Sequence, residues 1–178
     1  DQEGVGLYQV THRAGERCSA AKGYLTPALS RPNLEVLTHA RATGLIFEGR
    51  RVVGVRVLHG RQVRELRARR EVLLAAGALQ SPQLLMLSGI GDGAHLQTVG
   101  IATRHHLPGV GRHLHDHPDI VLVAGVPGER ELFGLTPAGA WRAVQGVREW
   151  KNHRTGLLTT NFAEAGAFLR SRPEEAVP

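Results

Sequence analysis

Three stretches of the chain carry residue types and spacings that could do chemistry. His113-Leu114-His115-Asp116-His117 sets imidazoles at alternate positions, and on an extended segment alternate side chains share one face, as a three-histidine zinc site requires. Histidines so spaced also pack, cap or face solvent, so a metal site and a hydrogen-bonded structural pair, Asp116-His117, both stand at this point. Ala75-Ala76-Gly77 closes the apolar run that begins at Glu71. Ligands of open α/β sheets sit beyond the carboxyl ends of strands, where a residue without Cβ lets the backbone approach a cofactor. The same glycine is equally an ordinary packing turn. Arg61, Arg64, Arg67, Arg69 and Arg70 crowd into a third stretch that could meet phosphates. Val63, Glu65 and Leu66 interrupt it, and it has no aromatic residue to stack on a base. It reads as a solvated face, and nucleic acid is not an expected partner.

The elements that must position these residues follow from pattern. A chain of 178 residues with 42% hydrophobic content suits one compact domain or parts of two. Its net charge of +6 comes from arginine, since Lys22 and Lys151 are the only lysines. Cys18 is the single cysteine, which rules out an internal disulfide and a multi-thiolate metal site. No run approaches the roughly 18 apolar residues that span a bilayer, and the opening residues have neither a basic head nor an apolar signal run. The expectation is a cytoplasmic protein without stable membrane insertion.

The spacing predicts β structure over residues 6–13, then a short helix over 17–25 capped by Ser19 and stopped by Thr26-Pro27. Residues 34–37 read as a short strand, 42–48 and 51–58 as a hairpin across Gly49-Arg50, and 62–68 as a third strand. The run 71–76 reads as a strand buried on both faces and sharing a sheet with that hairpin. Ser81 as cap and Pro82 in the first turn announce a helix carrying Leu84, Leu85, Leu87 and Ile90, with another short helix over 94–99. Residues 107–111 read as a loop. Beyond Pro118, where composition shifts, come a strand through Ile120, Leu122, Ala124 and Val126, a helix over 136–153, and a last strand over 163–169. The fold class is mixed α/β.

The fifteen residues Gly77-Ala78-Leu79-Gln80-Ser81-Pro82-Gln83-Leu84-Leu85-Met86-Leu87-Ser88-Gly89-Ile90-Gly91 closely resemble the second signature of the glucose-methanol-choline oxidoreductases. The resemblance extends through Arg17 to Leu25, Arg31 to Thr38, Leu107 to Arg112 and Asp116-His117-Pro118, so that the whole chain looks like the middle of a choline-dehydrogenase-like member. It implies part of an FAD-binding domain over 1–117 and the start of an antiparallel-sheet substrate domain over 118–178. It implies adenosine-side FAD contacts from Ala42, where relatives usually have valine, and from Ala75, Ala76 and Gly77. It further implies that Glu164, in Thr159-Thr160-Asn161-Phe162-Ala163-Glu164, faces the trimethylammonium group of a choline-type alcohol. Read from the residues alone, Glu164 is as readily an exposed or ion-paired glutamate.

The resemblance argues against metal at the histidine cluster, since relatives usually carry Asn and Gln at the places of His113 and His115. The family's G-x-G-x-x-G fingerprint for the pyrophosphate does not occur, and no histidine here stands in the context of the family's C-terminal catalytic pair. The expectation is a parent enzyme that oxidises a primary alcohol, choline or a related amino alcohol, by hydride transfer to FAD. This chain alone should be inactive, with no catalytic residue and with FAD poorly held. The alternative is a non-catalytic truncated module that binds another chain. Oligomeric state and electron acceptor are left open.

Overall fold

The computed structural model describes residues 3–122, 124, 136–161 and 163–175. In chain order the elements are β1 (Gly4–Leu7), β2 (His12–Arg13), β3 (Glu16–Arg17), a π-turn (Ala21–Leu25) running into the single turn α1 (Thr26–Ala28), β4 (Ala40–Glu48), β5 (Arg51–His59), β6 (Gln62–Arg67), α2 (Gly77–Leu87), β7 (Ile90–Gly91), α3 (Gly93–Thr98), β8 (His105–His106), α4 (Pro137–His153), a 3-10 turn (Leu157–Thr159) and β9 (Ala165–Phe168). They form two compact units, Val36–Val123 and Asp1–Glu35 with Ala124–Pro178.

In the unit of residues 36–123, β4, β5 and β6 make an antiparallel sheet in that order. The β4–β5 hairpin turns at Gly49-Arg50, where Gly49 takes φ +59°, a left-handed value that an L side chain adopts only at a cost. A register shift between Ala42 and Gly44 leaves Thr43 outside the ladder, and its hydroxyl donates to the Arg56 carbonyl at 3.2 Å. Ile46, Val53 and Val57 are buried on the sheet, and Leu84 is buried on α2. Ser88 ties α2 to β4: its Oγ accepts the Leu45 N–H at 2.9 Å and donates to the Leu84 carbonyl at 2.6 Å. Asp92 caps α3 by accepting the Ala94 N–H at 3.1 Å, and Leu96 within α3 is fully buried. Strands β7 and β8 pair in parallel, which gives the unit its mixed character.

Several expectations are corrected here. Residues 71–76 join no sheet, and Leu73 is 80% exposed. A strand of this kind needs hydrogen-bonded neighbours along its edges, and no described strand pairs with residues 71–76. Helix α2 begins at Gly77 instead of at Pro82. The Ser81 hydroxyl does not cap its own residue as helix start; it reaches back to accept the Ala76 N–H at 3.0 Å, so Pro82 lies inside the helix. Residues 34–37 form no strand, because no described strand lies along the open edge of β4 to receive them. Ile120 and Leu122 are unpaired and highly exposed, while Val126 lies outside the described residues. The hairpin, the third strand, α3 and α4 stand within two residues of the predicted bounds.

In the other unit, β1 pairs antiparallel with β9, Gly4 opposite Phe168 and Leu7 opposite Ala165. Thr136 caps α4, accepting the Gly139 N–H at 3.0 Å, with Pro137 in the first turn where its missing N–H costs nothing. Trp150 Nε1–H donates to the Gly15 carbonyl at 2.6 Å, which fixes α4 to the β2–β3 hairpin. The Arg154 guanidinium stacks 4.3 Å from the Trp150 ring centroid and pairs with Glu16 at 2.6 Å. The early helix does not stop at Thr26-Pro27. The π-turn absorbs the proline: Thr26 bonds back to the Ala21 carbonyl through both its N–H and its hydroxyl, and one further turn follows.

Candidate functional site

The candidate cofactor residues fall on two segments of the 36–123 unit. Ala42 lies near the start of β4 and lines an apolar groove of about 270 Å³. Val72, Leu73 and Leu74 line the same groove, together with apolar side chains that include Leu37, Val57 and Leu84. Ala75, Ala76 and Gly77 follow directly in the chain but do not line the groove, and all three are exposed. Gly77 takes φ +85°, and a Cβ built there would meet nothing within 4 Å. The turn is therefore a bare stretch of backbone at the end of an apolar run, open to a flat ligand. Sequence spacing brought out the glycine; the approach of Val72 to Leu74 towards Ala42 was not visible from it.

Glu164 belongs to the other unit. It is exposed just before β9, its backbone carbonyl accepts the Tyr8 N–H at 2.9 Å, and its carboxylate makes no ion pair among the described residues. The side chain is thus held by its backbone and left available on its outer end.

The histidine cluster loses the geometry that suggested a metal. His113 has φ +59°, so residues 113–117 do not run as one extended segment and the three imidazoles are not set on a common face. Among the described residues no group of three or more His, Cys, Asp and Glu side chains converges on a metal position. Asp116 accepts the backbone N–H of His117 at 2.8 Å, which makes the pair a local turn contact with no carboxylate–imidazole bond.

One stretch passed over in the sequence has the looser dinucleotide form, with alanine in the last place: Gly89-Ile90-Gly91-Asp92-Gly93-Ala94. The structure shows why it is no phosphate cradle. It follows a helix instead of a buried strand, and the Asp92 carboxylate occupies the α3 N-terminus that a pyrophosphate would need. The Ala94 N–H holds the Asp92 carboxyl below its usual 3.8; desolvation opposes it, and the His95 N–H and Arg112, paired at 2.9 Å, add smaller lowering effects.

Residues 1–119 match the family model described as GMC oxidoreductase. The chain belongs to the GMC oxidoreductase family. Across 99% of its length it is 42% identical to the alcohol dehydrogenase [acceptor] of Pseudomonas putida and 42% identical to the oxygen-dependent choline dehydrogenase of Cronobacter sakazakii. It spans about a third of the length of these curated relatives, 32% of each. Among solved structures it is similar to an FAD-dependent oxidoreductase from Chaetomium thermophilum, with a TM-score of 0.74 and 28% identity over 88% of this chain and 28% of that one. The fold also matches a fungal aryl-alcohol oxidase, with a TM-score of 0.78 and 24% identity over 94% of this chain and 29% of that one. The GMC fold assignment therefore rests on sequence and architecture together.

Proposed function

We propose that this chain is an internal part of a GMC enzyme that oxidises a primary alcohol, choline or a related amino alcohol, with the alcohol's hydride passing to FAD. Residues 1–117 are read as part of the FAD-binding domain and residues 118–178 as the beginning of the substrate domain. The reading of Ala42, Ala75, Ala76 and Gly77 as adenosine-side residues is supported by the apolar groove that Ala42 lines with Val72, Leu73 and Leu74, the residues that run directly into the left-handed turn at Gly77. These residues fit the apolar half of an adenosine. They do not make the family's pyrophosphate fingerprint, and the one G-x-G-x-x-A stretch of the sequence leads into α3, whose N-terminus Asp92 caps. When bound, FAD supplies the hydride acceptor.

The chain's own contribution to the reaction is binding and orientation. Ala42 with Val72, Leu73 and Leu74 would give the adenosine an apolar, water-excluding wall, and the backbone at Ala75–Gly77 could approach it closely because Gly77 carries no side chain. Glu164 is read as the carboxylate that balances the fixed cation of a choline-type substrate, which cannot donate a hydrogen bond. What favours that role over an ion-paired one is that its carboxylate has no salt bridge among the described residues. Proton removal from the hydroxyl falls to residues outside this chain, so the 178 residues alone should not turn over.

The single observation that carries the reading is the 42% identity, along 99% of the chain, to an alcohol and a choline dehydrogenase. Anaerobic mixing of the intact flavoprotein with candidate alcohols tests it. Bleaching of the oxidised flavin band by choline or a close amino alcohol supports the reading. An intact flavoprotein that no primary alcohol bleaches would overturn it.

A further inference from the structure

The strand pair β1–β9 has two unlike faces. Alternate residues of a strand point to opposite faces, and residues directly opposite across an antiparallel ladder share one. The register sets Val5 opposite Ala167 and Leu7 opposite Ala165, which makes one face aliphatic. Continued one step past Leu7, it sets Tyr8 opposite Glu164, and the Tyr8 N–H donates to the Glu164 carbonyl at 2.9 Å. The other face therefore carries Tyr8 and Glu164, then Gly6 opposite Gly166 and Gly4 opposite Phe168.

The Tyr8 ring has a defined seat on that face. A Cβ added to Gly166 would collide with the ring and its hydroxyl. Gly166 has no left-handed φ, so its backbone does not call for glycine; what the missing side chain provides is room for the ring. Tyr8 is nevertheless 49% exposed, so the ring is seated and still open to a ligand. No internal cation takes it: among the described residues the guanidinium–ring contacts are Arg104 over Phe47 and Arg154 over Trp150. The first cation beyond β9, Arg170, is committed to Glu3 at 3.4 Å, and Glu164 has no ion pair among the described residues.

Side chains opposite one another on a ladder have Cβ atoms about 4.5–5.5 Å apart, so a cation held by the Glu164 carboxylate is within reach of the Tyr8 ring. A quaternary ammonium has no N–H to donate, and what attracts it is negative charge and the electron-rich face of an aromatic ring. We infer that Tyr8 is a specificity-determining residue beside Glu164: its ring, seated on Gly166, binds a quaternary ammonium group together with the Glu164 carboxylate. The inference rests on the reading of Glu164 as the carboxylate that faces such a cation. Tyr8 and Glu164 stand near opposite ends of the sequence, and only the β1–β9 register brings them together.

The test is calorimetric titration of the intact oxidised flavoprotein with tetramethylammonium chloride, against sodium chloride at the same ionic strength. The expected result is one saturable site that Tyr8→Leu weakens by about threefold to thirtyfold. Tyr8→Phe, which keeps the ring, should change binding by less than about twofold. Gly166→Ala should weaken it as Tyr8→Leu does, because the added methyl displaces the ring, and should add nothing in the Tyr8→Leu background. Phe168→Leu, on the same face but four residues from Glu164, should leave binding unchanged. Where Tyr8→Leu fails to load flavin, Gly166→Ala reads the same contact with the tyrosine in place. No saturable binding, undiminished binding in Tyr8→Leu or Gly166→Ala, or equal loss from Phe168→Leu and Tyr8→Leu would overturn the inference. Tetramethylammonium binding that depends on Tyr8, in a flavoprotein that choline does not bleach, would uphold the inference and overturn the substrate reading alone.

Discussion

Trp150 should be worth more to the unit that holds it than its partial exposure suggests, and Trp150→Phe isolates why. The substitution keeps a ring for Arg154 to stack on and removes one donor, the Nε1–H that reaches the Gly15 carbonyl at 2.6 Å. A neutral hydrogen bond contributes about 0.5–1.5 kcal/mol net, and a carbonyl left unsatisfied where water reaches it poorly raises the loss to about 1–3 kcal/mol. Gly15 is buried, so the upper part of that range applies to whatever fraction of the site stays dry. For a chain of this size the loss corresponds to a fall in Tm of about 2–12 °C. Urea unfolding followed by far-UV circular dichroism reads it, with an unchanged slope showing that the denatured state is the same. Trp141→Phe is the control, because Trp141 is 59% exposed and should change stability by less than about 0.5 kcal/mol. If Trp150→Phe and Trp141→Phe unfold together within about 0.3 kcal/mol of the parent chain, the reasoning that the indole bond locks α4 to the hairpin fails.

Ser88→Ala should cost about 1–3 kcal/mol, since it leaves the Leu45 N–H without an acceptor between α2 and β4; denaturant midpoints and faster amide exchange at Leu45 would show it. Asp92 should make the cap of α3 acid-sensitive. Its folded pKa is lowered, first by the Ala94 N–H, so its stabilising contribution is complete above the usual 3.8 and is lost as pH falls through the lowered folded value. Asp92→Asn, which keeps a cap acceptor but not the charge, should flatten that acid limb in a pH series of unfolding curves. The purified chain should hold FAD poorly, because it lacks the G-x-G-x-x-G fingerprint whose backbone N–H groups and helix dipole grip a pyrophosphate; a stoichiometric flavin spectrum from this chain alone would contradict that.

The sheet of β4, β5 and β6 was legible because alternation and the Gly49 and Gly60 turns are local signals. Helix α4 was legible from another local signal, the helical spacing of Trp141, Val144, Val147 and Trp150. The failures share a physical cause. Residues 71–76 and 34–37 have the composition of strands, yet a strand exists only with a partner, and composition does not say which partner is present. The Ser81-Pro82 signal misplaced the start of α2 because the serine hydroxyl found the Ala76 N–H one turn earlier. In the candidate site, the left-handed turn at Gly77 was readable from glycine itself, whereas the groove joining Ala42 to Val72 and Leu74 depends on non-local packing. At the histidine cluster, alternate spacing would imply a shared face only if the backbone were extended, and His113 is not.

The claim that this polypeptide serves a choline-type oxidation rests locally on Glu164, and Glu164→Gln in the intact flavoprotein tests it most directly. The amide keeps size and hydrogen bonding and removes the charge. A pair about 4 Å apart at an effective dielectric near 20 interacts by about 4 kcal/mol, which desolvation reduces to about 1–3 kcal/mol. Steady-state kinetics with choline and with its neutral carbon isostere, a tert-butyl group in place of the trimethylammonium, should show choline affinity falling by about tenfold to a hundredfold while the isostere changes much less. An equal loss for both substrates, or no loss for choline, would show that the carboxylate does not read the cation and would contradict the account.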